Sequence, residues 1–212
     1  MLTTRIHSET SEIDERLRPF GVTRNELMEV VRGVVGARAD AVENDPLTAE
    51  GLFAYIFGTR YVRALFRTKG WLLHREMNVE SVKHPERSLR VIYQSVDMAA
   101  SRGHNPQAVS GKGSGSEGIL DSAQGNLFSE KELLASNKTF GEVNSGVWFF
   151  CVSVQGEHVR AELSLPLGIE GGNFKGFIER IFVVRDDEDW SVFARKHDDT
   201  TSAEFEPTVI RK

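Results

Sequence analysis

The sequence predicts an α+β protein in which a helical N-terminal half packs against a C-terminal antiparallel β-meander of four to five strands. Three observations point there. Apolar residues recur at helical spacing before residue 101, they alternate or run in β-branched blocks from Gly146 onward, and those later blocks are joined by short connections. Short connections favour antiparallel pairing, because parallel neighbours need a long crossover. Helices first and strands later define the class. The expected organisation is a helical segment over 1–101, a Gly/Ser-rich loop over 102–118 and a mostly antiparallel β segment over 119–212, together one compact domain.

Residues 8–18 read as a short polar helix. Thr23-Arg24-Asn25-Glu26 is a capping box, with Thr23 serving a backbone N–H near Glu26 while Glu26 reaches back. It opens a helix over 24–41 whose buried face carries Leu27, Val30, Val31, Val34 and Val35. Thr48 is a second N-cap, ahead of Leu52, Tyr55, Ile56, Val62, Leu65 and Phe66; Gly58 weakens that helix at its middle. The segment from Trp71 to Val82 is ambiguous and has room for a short strand. His84-Pro85-Glu86 reads as a helix start, since proline at the first helical position loses no needed donor. Leu89, Ile92, Tyr93, Val96, Ala99 and Ala100 then follow at helical spacing, with Arg87, Arg90, Gln94 and Asp97 on a polar face. Further capping boxes at Ser114–Glu117 and Ser129–Glu132 each precede a short helix.

From Gly146 the period changes. Val147–Val154 is a continuous apolar run, a turn falls near Gly156, and Val159, Ala161, Leu163 and Leu165 alternate with polar residues. That is a hairpin. A loop over Gly168–Asn173 leads to a strand over Phe174–Val184, then to strands expected at Trp190–Ala194 and Thr208–Ile210.

Composition bounds the function. The single cysteine, Cys151, excludes an intrachain disulfide, and within its run of Trp, Phe and Val it reads as a buried thiol. The first residues lack the apolar stretch of a signal peptide, and no apolar run approaches the roughly 18 residues a membrane helix needs. A cytoplasmic protein without a membrane partner is expected. Net charge is −5, but it is unevenly placed: residues 51–112 hold ten Arg and Lys against four Asp and Glu, net +6, between flanks of −4 and −7. A cationic centre of this kind suits a polyanion.

The candidates for phosphate contact are Arg60, Arg63 and Arg67, which share one helical face, with Lys69, Arg102 and Lys112 beyond them. Guanidinium forks match phosphate oxygens in geometry. Gly113–Gly118 matches G-x-G-x-x-G, yet no strand precedes it and Lys138 stands where a ribose-binding acid belongs. Residues 111–118 therefore read as a surface loop, with closure over a phosphate as the functional alternative. The six histidines show no metal-ligand spacing, the acidic run Asp186–Asp189 lacks the EF-hand pattern, and G-x-S-x-G does not occur. No metal and no cofactor is expected.

Glu162 and Glu179 sit in otherwise apolar strands; the leading expectation is a solvent-facing side of the sheet with cross-strand pairs, and the alternative is that at least one points into a cleft or pairs with Arg160 or Arg180. The hairpin Val147–Leu165 resembles the central hairpin of the restriction-endonuclease-like nucleases over about twenty residues. In that family an acid on the first strand and E-x-K on the second bind a catalytic metal. Here the second strand reads Glu162-Leu163-Ser164 and the first carries no acid between Val147 and Val154, which puts activity in doubt. The resemblance implies Glu162 as a metal ligand; an enzyme of this kind would use Glu162 with Asp97 or Glu179, and Mg²⁺ as cofactor. The leading expectation is a nucleic-acid- or phosphate-binding accessory protein. A metal-dependent nuclease or nucleotide-processing enzyme is the alternative, and a structural subunit with a protein partner the further one.

Overall fold

Three α-helices lie on one face of a seven-stranded mixed sheet among the residues that the computed structural model describes, which are 4–109, 118, 120 and 145–185. Strand β1 (Arg5–His7) leads to α1 (Thr10–Leu17), a 3₁₀ turn over Arg18–Phe20, and then α2 (Arg24–Ala39). The capping box starts α2: Glu26 N donates to Thr23 Oγ1 at 3.3 Å, and Thr23 N donates to Glu26 Oε2 at 2.9 Å. Two of the four N–H groups a helix start leaves open are thereby satisfied. Helix α3 (Ala49–Thr68) follows, and Gly58 is the reason it can lie flat on the sheet. A Cβ at that position would stand 2.3 Å from Cζ of Tyr93, so only glycine permits the approach.

The remaining elements are β2 (Leu72–Glu76), β3 (Val79–Lys83), β4 (Ser88–Ser95), β5 (Ser145–Gln155), β6 (His158–Glu170) and β7 (Asn173–Val184), with sheet order β1-β7-β6-β5-β4-β3-β2. Alternation along the central strands builds two apolar layers. Trp148, Phe150 and Val152 of β5 join Leu163, Ile181 and Val183 beneath the helices, against Leu17, Leu27, Val31, Val62 and Phe66. Val147, Phe149 and Cys151 point the other way, toward Ile92, Leu120, Ile169, Phe174 and Phe177. Cys151 is the buried thiol its neighbours in sequence imply.

The α+β class stands, but several elements differ from expectation. The segment expected as a helix after His84-Pro85-Glu86 is strand β4, and the ambiguous residues 71–82 contribute β2 and β3. Thus the first hundred residues are not wholly helical. The β2–β3 hairpin turns at Met77 (φ 48°) and Asn78 (φ 62°), the paired positive values of a type I′ turn. The sheet is not a plain antiparallel meander either, since β4 runs parallel to β5 and β1 parallel to β7. Residues 96–144 separate β4 from β5 in sequence, a length that suffices for the long connection parallel pairing requires. The expected Gly168–Asn173 loop narrows to Gly171-Gly172, because β6 continues to Glu170. The strands expected at Trp190–Ala194 and Thr208–Ile210, and all but residues 118 and 120 of the capping-box segments, lie outside the described residues. No helix among the described residues is long and apolar enough to cross a membrane.

Candidate functional site

Helical period brings Arg60, Arg63 and Arg67 onto one side of α3, where they line a groove of about 380 Å³ shared with Ile56, Ala64 and Leu73. Leu73 belongs to β2, the end strand of the sheet order, so the groove runs between the helix and that edge. The three arginines are not equivalent. Arg63 is half-buried and its Nη1 is ion-paired with Glu80 of β3, which also binds Arg75. Arg60 is exposed and lies over the Phe57 ring, 4.4 Å from its centroid. Arg67 is exposed, and neither it nor Arg60 meets a carboxylate among the described residues. Two guanidiniums therefore face the groove without an anionic neighbour among the described residues, while the third braces helix to sheet.

The other expected phosphate ligands are elsewhere or differently engaged. Lys69, just past α3, holds Glu26 with Nζ at 2.7 Å and so ties the end of α3 to the start of α2. That contact and the Thr23 N–H hold the Glu26 carboxyl below its ordinary range. Arg102 donates to Ser8 Oγ at 2.5 Å, which places it on the 96–108 loop beside β1 rather than on the α3 groove. Lys112 and residues 111–117 lie outside the described residues.

A second basic cleft, which the sequence reading missed, opens at the end of α3. Its volume is about 440 Å³, and Arg18, Pro19, Lys69, Trp71, His84 and Arg87 line it. The cations come from the 3₁₀ turn, the end of α3 and the turn between β3 and β4. No periodic pattern joins them, so only the fold could show that they meet.

The acidic candidates do not form a metal site. Glu162 is fully buried and pairs with Arg180, with Oε2 2.6 Å from Nη2 and Oε1 2.9 Å from Nε. Oε1 also accepts from Ser164 Oγ at 2.6 Å, and Oε2 from Ala100 N at 2.6 Å. A carboxylate has about four lone-pair directions, and all are used. Of the partners considered from sequence, Arg180 is the one that Glu162 takes. Glu179 accepts from Arg16 Nε at 2.5 Å and Nη2 at 2.9 Å, with His7 Nε2 at 3.0 Å. Burial alone would raise its pKa, yet the nearby His7 and the bonds from Arg16 outweigh that and hold it below the usual carboxylate range. Asp97 accepts from Met98 N, Gln107 N and His104 Nε2, folding the 96–108 loop on itself. Among the described residues no three such ligands gather. The nuclease-like hairpin is present as a hairpin, but its acid serves an arginine.

Compared with family models, curated proteins and solved structures, the chain matches none of them.

Proposed function

We propose that the protein binds phosphate-bearing polyanions, nucleic acid foremost, through the groove between α3 and β2. The observation that carries this reading is the pair Arg60 and Arg67, exposed on one helical face with no carboxylate partner among the described residues. Each presents a planar fork suited to phosphate oxygens, and Ile56 and Leu73 offer apolar surface for sugar or base edges. Contacts of this type add affinity without sequence selectivity. Catalysis through Glu162 finds no support, because its lone pairs are spent within the protein.

The test is fluorescence anisotropy with single-stranded and duplex oligonucleotides at low and moderate salt, on the wild type and on Arg60→Ala/Arg67→Ala. The reading requires binding that weakens steeply with salt and is lost in the double variant. Absence of binding at about 50 mM salt, where a phosphate-contacting protein is strongest, overturns it.

A second reading, a subunit of a larger assembly, rests on a separate observation. Leu52, Tyr55 and Ile56 of α3 and Leu72 and Leu73 of β2 are all exposed, and large apolar side chains gathered at a sheet edge mark interfaces. Light scattering separates the two: a monomer at micromolar concentration that binds no other chain removes this second reading.

A further inference from the structure

The basic cleft at the end of α3 is built differently from the groove beside it. Its floor is a stack of aromatic rings: Trp71 lies parallel to Phe20 at 6.4 Å and edge-on to Phe66 at 4.8 Å. His84 stands edge-on to the same indole at 5.2 Å. The His84 ring is also oriented by its own turn, since Nδ1 accepts from Glu86 N at 3.1 Å and from Arg87 N at 3.2 Å. An Nδ1 that accepts must lack a proton, so in the neutral ring Nε2 carries the N–H. Burial and the nearby Arg87 hold the His84 pKa below its ordinary value, which keeps the ring neutral at pH 7. A residue that lines the cleft thus carries one uncharged N–H donor, in a ring fixed by its own turn.

Around it stand three cations. Arg87 is steered by a bond from Nη1 to Pro19 O at 3.2 Å, and Arg18 is exposed with no carboxylate partner among the described residues. Lys69 already shares its charge with Glu26. The lining thus carries three cations and no carboxylate among the described residues, with Glu26 paired to Lys69 and Glu86 beside His84 on the same turn. A phosphate monoester carries about −1.5 to −2 at pH 7, whereas a diester within a nucleic-acid chain carries one charge. A cleft lined by three cations favours the more highly charged monoester.

We propose that this cleft is a site for a phosphate monoester, with Arg18 and Arg87 as its charged ligands, Lys69 at its rim and the His84 Nε2–H as an oriented donor. Two sources share that chemistry: the terminal phosphate of a nucleic-acid strand and a small phosphorylated compound. The site stands apart from the α3 groove, because none of these side chains lines the groove.

The experiment compares one oligonucleotide in three forms, with 5′-phosphate, 3′-phosphate or free hydroxyl ends, by anisotropy, and titrates a nucleoside monophosphate and inorganic phosphate by calorimetry. Each is run on the wild type and on Arg18→Gln/Arg87→Gln, two solvent-facing changes whose folding is checked by circular dichroism. A preference of about tenfold for the phosphorylated end over the hydroxyl end, lost in the variant, is expected if a strand end is the ligand. If a free compound is the ligand, the nucleoside monophosphate binds and the oligonucleotide forms do not differ, with the same loss in the variant. In either case affinity declines below about pH 6 as the monoester takes its second proton. No binding that depends on a monoester, or binding that survives in the variant, overturns the site. Affinity for the hydroxyl-ended strand reports on the Arg60 and Arg67 groove alone, so failure of one site is read separately from failure of the other.

Discussion

Glu162 Oε2 lies 2.6 Å from Arg180 Nη2 with both side chains out of solvent, 0 % and 2 % exposed. The pair joins β6 to β7 and reaches further, since Arg180 Nη1 donates to the carbonyls of Ser101 and His104 at 2.9 and 3.0 Å. Glu162 in turn receives the N–H of Ala100, a residue at φ 48°. A buried ion pair therefore clamps the 96–108 loop onto the sheet, and offsets the cost of a left-handed alanine there.

Removing one member of that pair leaves a buried charge without a partner. Arg180→Met is expected to cost about 3–5 kcal/mol, while Arg180→Met with Glu162→Met loses much less, because no charge remains to be desolvated. Urea denaturation measures both. A single variant as stable as the wild type contradicts the clamp.

Glu179 sets a pH dependence. Its folded pKa lies below the ordinary value of 4.5, so its stabilising contribution is complete above that value and fades as pH falls through the lowered folded pKa. Denaturation midpoints should drop on acidification below about pH 4.5, and more shallowly in Glu179→Gln, which has no proton to gain. Equal slopes in the two proteins would mean that His7 and Arg16 do not hold this carboxylate in solution.

Gly58→Ala should destabilise the fold although alanine is the better helix former by about 1 kcal/mol. The new methyl meets the Tyr93 ring at 2.3 Å, and overpacking of this kind costs typically about 1–3 kcal/mol. Thermal unfolding shows whether the loss outweighs the gain, and adding Tyr93→Leu, which removes the ring, should recover part of it.

The three arginines of α3 should separate by phenotype. Arg60→Ala and Arg67→Ala are each expected to lower the slope of log affinity against log salt by about one phosphate contact, with little change in unfolding. Arg63→Ala should instead lower stability, since it removes the ion pair that ties α3 to Glu80 of β3. Anisotropy across a salt series, paired with thermal unfolding, distinguishes the two classes. Identical behaviour of all three would contradict the assignment.

Part of the site was legible because one helix repeats its faces: Arg60, Arg63 and Arg67 share a side at any tertiary arrangement. Arg18, His84 and Arg87 were not, since Arg87 meets Pro19 across 68 positions of sequence. The signal around His84 was real but misleading. His84 accepts N–H groups two and three residues on, as a helix cap does, yet the chain leaves that turn as strand β4. Val91, Ile92 and Tyr93 are buried on both faces of the sheet, and burial of that kind outweighs a local helical spacing.

By itself the sequence determined what a few neighbouring residues can settle: the capped start of α2, the Val147–Leu165 hairpin, the buried Cys151 and the cationic face of α3. Only the tertiary structure decided that β4 is a strand running parallel to β5, that Glu162 belongs to Arg180, and that four basic side chains meet over Trp71. Caps and turns close their hydrogen bonds within one or two turns of chain, so their energies are local. Strand partners, buried charges and clefts draw on groups far apart in sequence, and their energies exist only once the chain has brought those groups together.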